Sequence, residues 1–262
     1  MWDMGFITED DFRTHVANTI NAYADNLVSC DIKRLNSNTI DPIKLIFDKS
    51  VYDLSWEETI KSEVLRQRDK SNNNSIGYFH QQIFRYIANC EVPQHGWDVI
   101  YRPEDSVDIF DGHYVSTLYV EMKNKHNTMN SASAGKTYTK MQDQLLQDDN
   151  CSCLLVEAIA KHSQNTQWSI TLDKEKRGHR LIRRVSLDRF YELVTGDPNA
   201  FYKVCMMLPE TIGYVLENVP GVKAPSDTAF EDLLHLTGGR EDTVPKALYL
   251  LGFGSYIGFT AE

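Results

Sequence analysis

The sequence predicts an α/β fold, a mixed central sheet flanked by helices, with helical N- and C-terminal regions. Three observations predict it. Apolar residues recur every three to four positions through most of the first seventy residues, and the chain reads as mostly helical again from Ser186 onward. Between these lie short runs rich in β-branched and aromatic residues, two of them divided by the hairpin signal Asp111-Gly112. A helix-patterned stretch, Gly135 to Leu146, separates those runs from two further ones.

Taken in order, Phe6 to Leu27 has helical apolar spacing, Asp41-Pro42 opens a second helix, and Ser55 to Lys70 forms a third. Ser71-Asn72-Asn73-Asn74 is a polar break and the expected boundary. Beyond it Ile76, Phe79, Ile83, Phe84 and Ile87 mark an amphipathic helix that should pack on the sheet. Strands are expected at Trp97 to Tyr101, Ser106 to Phe110 and Tyr114 to Lys123, then at Cys153 to Ala160 and Trp168 to Leu172. Loops fall at Gly196-Asp197-Pro198 and Val219 to Ser226. The expected division is a helical region 1–73, a core 74–195 and a helical region 196–262, in one compact unit.

A chain of 262 residues with 42% hydrophobic and 24% charged content has the size and composition of an ordinary globular protein. No run approaches the length of a membrane span, and the acidic start MWDMGFITEDDF lacks the pattern of a secretion signal. A cytoplasmic protein is expected. Five cysteines without a recurring spacing read as free thiols in a reducing compartment rather than as a zinc site. The net charge of −10 argues against nucleic-acid binding only if the total is read alone. Residues 122 to 142 carry Lys123, Lys125, Lys136 and Lys140 and no acid, and residues 161 to 189 carry eight basic residues against three acids.

The most informative stretch is Val107-Asp108-Ile109-Phe110 followed by Tyr119-Val120-Glu121-Met122-Lys123. Side chains alternate along a strand, so Glu121 and Lys123 share one face while Val120 and Met122 point into the opposite layer. The antiparallel return after Asp111-Gly112 is expected to bring Asp108 beside Glu121. Two carboxylates and a lysine then suit a hard cation such as Mg²⁺, held by Asp108 and Glu121, with Lys123 at a bound water or a phosphate. That set is what phosphodiester hydrolysis needs. A second Asp-x-Lys, Asp31-Ile32-Lys33, lacks the strand-turn-strand lead and reads as a solvated surface pair. Ala134-Gly135-Lys136-Thr137 imitates the end of a phosphate-binding loop, but Asn130 stands where its first glycine is required.

The pattern Asp108-x12-Glu121-x-Lys123 resembles the PD-(D/E)XK nuclease motif, with Val107 where the motif often has proline. The text around it, GYFHQQIF at 77 to 84, YVEMKNKHNTMNSASAGKTY at 119 to 138 and FYELVTGDPNAF at 190 to 201, resembles type II restriction endonucleases that cut GGNCC-type sites. The resemblance implies the restriction-endonuclease-like fold and Mg²⁺-dependent cleavage of double-stranded DNA at a short palindrome, leaving 5′-phosphate ends. It also implies an auxiliary group from the helix before the sheet, for which Glu63 and Gln82 are the expected residues. The polar run Asn124, Lys125, His126, Asn127, Asn130 and Ser131 suits base readout or a capped turn, with Ser131 or Ser133 as cap. Lys136, Lys140, Arg177, Arg180, Arg183 and Arg184 are expected to hold phosphates or guanines. A palindromic target suggests a two-fold homodimer. The alternatives are another nuclease of the same fold, such as a junction resolvase or repair enzyme, and a non-catalytic DNA-binding protein.

Overall fold

A computed structural model describes residues 2–26, 28–126, 129–172, 174–218, 226–236 and 238–253. Its strands are β1 (Cys90–Glu91), β2 (Val99–Tyr101), β3 (Val107–Phe110), β4 (His113–Val115), β5 (Thr117–Lys125), β6 (Cys151–Ile159), β7 (Asn165–Leu172) and β8 (Glu175–Ser186). The helices are α1 (Glu9–Asn26), α2 (Ile32–Ser37), α3 (Pro42–Val51), α4 (Trp56–Gln82), α5 (Ser131–Gln147), α6 (Leu187–Thr195), α7 (Ala200–Asn218), α8 (Ala229–His235) and α9 (Val244–Phe253). The chain folds as two compact units: Met1–Ile20 with Ser75–Val219, and Asn21–Asn74 with Pro220–Glu262.

The first unit is built on a six-stranded mixed sheet in the order β1-β2-β5-β6-β8-β7. β5, β6 and β8 run parallel, and β2 and β7 run antiparallel to their neighbours. The parallel β5 and β6 need a crossover, and α5 supplies it. Alternation sorts the layers. Leu118 and Val120 of β5, with Leu154, Val156 and Val185, pack with Phe12, Phe84, Phe190 and Val204 from the helices on one face, and Met122 lies against them. Tyr119, Cys153, Leu155 and Ile182 form the other face with Tyr138 and Met141 of α5. β6 lies between two parallel neighbours and is buried from Cys151 to Glu157, as a doubly covered strand must be.

The second unit is helical, with Leu35, Leu45, Ile60, Leu233 and Leu248 at its centre. Arg68 grips Asp227 through two hydrogen bonds of 2.8 and 2.6 Å. Asp31 caps α2 by accepting from the Arg34 N–H, so the Asp31-Ile32-Lys33 acid has a local structural task. The helical regions 1–73 and 196–262 thus divide between the units, since the start of α1 and all of α7 belong with the sheet.

Three expectations need correction. α4 runs unbroken through Ser71-Asn72-Asn73-Asn74. Serine and asparagine cost a helix only about 0.5 kcal/mol each, and without glycine or proline they do not stop it. The stretch Tyr114 to Lys123 is two strands, interrupted at Ser116, whose N–H and hydroxyl both bond to the Asn150 carbonyl. The twelve-residue β8 lies in the basic stretch 161 to 189, where no strand is expected beyond Leu172, because its first half is exposed and shows no apolar alternation. A separate expectation, the loop from Val219 to Ser226, is neither met nor contradicted, because residues 219–225 lie outside the described residues.

Candidate active site

The break at Ser116 decides which acid meets Glu121. β3 and β4 pair only with each other, placing Asp108 opposite Tyr114 in a separate two-stranded sheet. Asp111 and Gly112 turn this hairpin with φ of 45° and 80°, the positive pair that an Asp-Gly hairpin turn uses. Asp108 accepts from the N–H groups of Phe110 and Gly112, both at 3.1 Å, and so caps the turn. The expected meeting of Asp108 and Glu121 is not formed.

Asp98 takes that place. β2 pairs Val99 with Val120, so the preceding residue, Asp98, faces Glu121 across the strands. Its N–H donates to the Val120 carbonyl at 3.0 Å, and its Oδ2 accepts from the Met122 N–H at 2.7 Å. Gln81, on the last turn of α4, donates to the Asp98 carbonyl at 3.1 Å and approaches Oδ1 at 3.4 Å. Gln81 is thus the amide of this helix that touches Asp98. Gln82, one residue on, is turned about 100° around the helix axis. Glu63 belongs to the second unit, where Arg66 and Gln67 bind its carboxylate.

Glu121 lies between two ammonium groups. Lys123 donates to Oε1 and Lys140 to Oε2, each at 2.9 Å. Burial pushes the Glu121 carboxyl up, but the two lysines together outweigh it and hold the group below its ordinary range. Asp98 moves the other way: burial raises it, the Met122 N–H offsets part of this, and the Glu121 charge adds to the rise. Lys140 also bonds to the Gly96 carbonyl and lies 3.9 Å from the centre of the Trp97 ring.

Two carboxylates on facing strands, one with an oxygen only loosely bound, are a fit donor set for a hard divalent cation completed by water and phosphate oxygens. Lys123 stands beside them, as the period of β5 predicts.

The basic residues separate into groups. Arg184 bonds to Glu157, which is 1% exposed and also bonded to His126 Nδ1 at 3.0 Å. Arg183 is buried under the Phe110 ring and bonded to Asn165, so its guanidinium is committed inside the protein. Arg177 is half-buried, and Arg180 and Lys125 are exposed. Asn130 is itself the cap of α5, accepting from the Ser133 N–H at 2.9 Å, so neither Ser131 nor Ser133 fills that role. Asn124 packs against Gly77 of α4, where an added Cβ would lie 3.3 Å from its amide. Asn127 lies outside the described residues. Ser131, Lys136 and Lys140 line an open groove of about 490 Å³ on α5. The five cysteines are free thiols.

Asp98 was legible as the one acid in the otherwise apolar stretch Trp97-Asp98-Val99-Ile100-Tyr101, 23 residues before Glu121. Comparison with known proteins finds relatives that cover most of the chain. A family model described as Eco47II restriction endonuclease matches residues 4–217. The chain is similar to the type II restriction enzyme Sau96I of Staphylococcus aureus, 25% identical over 266 residues that cover 98% of each chain. It is also similar to the type II restriction enzyme Eco47II of Escherichia coli, 28% identical over 195 residues that cover 70% of this chain and 76% of that one.

Proposed function

The chain belongs to the Eco47II restriction endonuclease family and is a type II restriction enzyme, a site-specific deoxyribonuclease, and on that premise we propose that it cuts through Asp98, Glu121 and Lys123. One observation carries the assignment: Glu121 faces Asp98 across β2 and β5 while Lys123 donates to it at 2.9 Å. Asp98 and Glu121 are the residues that would hold a divalent cation, Mg²⁺ by the hardness of the donors. Bound there, the ion supplies charge neutralisation at the phosphodiester and a more acidic water. Lys123 orients that water or holds a phosphate oxygen, and Gln81 fixes the Asp98 carboxylate between strand and helix. Asp108 has no part in the chemistry in this reading.

Double-stranded DNA is the substrate, and a GGNCC-type palindrome is the proposed site, from the resemblance described above. Ser131 and Lys136 on α5, with Lys125, Arg177 and Arg180, are the proposed backbone contacts. Asn124, near the end of β5, and His126, which follows it, are proposed to stand near the bases. Asn130 is assigned to capping, and Arg183 and Arg184 to holding the sheet. A two-fold homodimer would present two such sites to the two strands.

The test is digestion of a plasmid of known sequence with Mg²⁺ and with a chelator. Discrete fragments ending at GGNCC sites, with 5′-phosphates, are expected only with the metal. Nicking preferentially at branched substrates would instead favour a resolvase. Metal-independent cutting, or full activity in Glu121→Gln, would overturn the site.

A further inference from the structure

Building on the proposed metal role of Asp98 and Glu121, we infer that Lys140 makes metal uptake by this enzyme depend on bound DNA. Lys140 occupies the oxygen of Glu121 opposite Lys123. Its stem comes from α5, one turn before Gln144, which accepts from the Trp97 indole at 3.3 Å. The ammonium rests 3.9 Å from the Trp97 ring centre and bonds to the Gly96 carbonyl, so Lys140 and Gln144 together grip the two residues that lead into Asp98. Its side chain is 35% exposed and borders the groove shared with Ser131 and Lys136.

Charge counting then gives the coupling. Asp98 and Glu121 are balanced by Lys123 and Lys140, so a divalent cation entering alone leaves the site at two positive charges. Such an excess in a half-buried place weakens binding. A DNA phosphate arriving in the groove brings negative charge and a competing acceptor for Lys140, whose flexible stem allows the head to move from Glu121 to phosphate. Glu121 Oε2 is then released as the charge excess falls. Coupling between two ligands is reciprocal, so metal in turn tightens DNA binding by the same factor. Lys140 is in this sense a positioning residue for Glu121 in the free enzyme and a phosphate contact in the complex.

Calorimetric titration of the full chain with Ca²⁺, alone and saturated with a GGNCC duplex carrying phosphorothioates throughout the site, measures this directly. The wild-type protein should bind Ca²⁺ more tightly with DNA than without. Lys140→Met keeps the stem on Trp97 and removes the charge. It should bind Ca²⁺ without DNA roughly five- to a hundredfold more tightly than wild type, the usual span of a coupling between two sites, and respond less to DNA. Lys140→Arg, which retains the charge, should behave as wild type. Circular dichroism confirms that each variant is folded. Unchanged Ca²⁺ affinity in folded Lys140→Met, with an undiminished response to DNA, overturns the inference. Should Lys140→Met not fold, Lys140→Gln serves in its place with the same two criteria. Wild-type Ca²⁺ affinity in Glu121→Gln would instead overturn the metal assignment itself, which separates the two failures.

Discussion

Glu121 meets two cations and a facing acid, so its neutralisation disturbs more than one contact. Glu121→Gln should reduce plasmid cleavage to background while filter binding in the presence of Ca²⁺ still detects DNA, because phosphate contacts elsewhere supply much of the affinity. Lys123→Met should lower the rate of cutting by roughly 10²–10⁴-fold, the span of a positioned proton-handling group. Asp98→Asn is expected to cost cleavage and little stability, since the amide oxygen can still accept from Met122 N–H. Asp108→Asn should retain full cleavage, and a loss comparable to that of Asp98→Asn in the same plasmid assay would return the metal role to the hairpin. A separate residue contributes to the acid sensitivity of the fold, alongside His80, which burial also brings down to about 4. Burial brings His15 down to about 4, although its hydrogen bond to the Phe79 carbonyl works against the shift and His80 adds to it. The unfolded chain, with histidine near 6.5, therefore binds the proton first, and stability present above that pH is lost as pH falls toward 4. His15 alone accounts for on the order of 3 kcal/mol over this window. Urea midpoints at pH 7 and pH 5 should differ markedly in wild type and less in His15→Gln.

Elements set which of these residues meet. The face of Glu121 and Lys123 was readable because a strand has a period of two, and Val120 and Met122 lie in the opposite layer accordingly. The partner acid was not readable in the same way, since pairing depends on where a strand stops. Ser116 carries no strong breaking signal in sequence, and its bonds to Asn150 come from a residue 34 positions away. β8 was hidden for a different reason: Lys176, Arg177, Arg180, Arg183 and Arg184 obscure the few apolar residues, Leu181, Ile182 and Val185, that anchor it. In the polar run after β5 the capped turn was a live alternative, but the cap is the asparagine rather than either serine. Asn130→Ala should accordingly destabilise the protein by about 1 kcal/mol in chemical denaturation, the usual cost of losing an N-cap.

At the scale of the molecule, the charge of −10 coexists with basic segments after β5 and along β8. Affinity for DNA should then fall steeply with salt, each neutralised phosphate contributing about −0.9 to the slope of log K against log salt. Lys136→Ala should shallow that slope by about one without changing which sequence is cut, measured by fluorescence anisotropy at several salt concentrations. A homodimer on DNA is the expected state, and sedimentation showing one chain per duplex at saturating site would remove it. Among the described residues no helix is long and apolar enough to cross a membrane.

The β3–β4 hairpin lies in sequence between β2, which Asp98 precedes, and β5, which carries Glu121, yet pairs with neither. The meeting of the two acids therefore rests on the pairing of β2 with β5 and not on the length of chain between them. A search for cousins of this enzyme that asks which acid lies across the ladder from the Glu-x-Lys strand needs no set gap between the two acids.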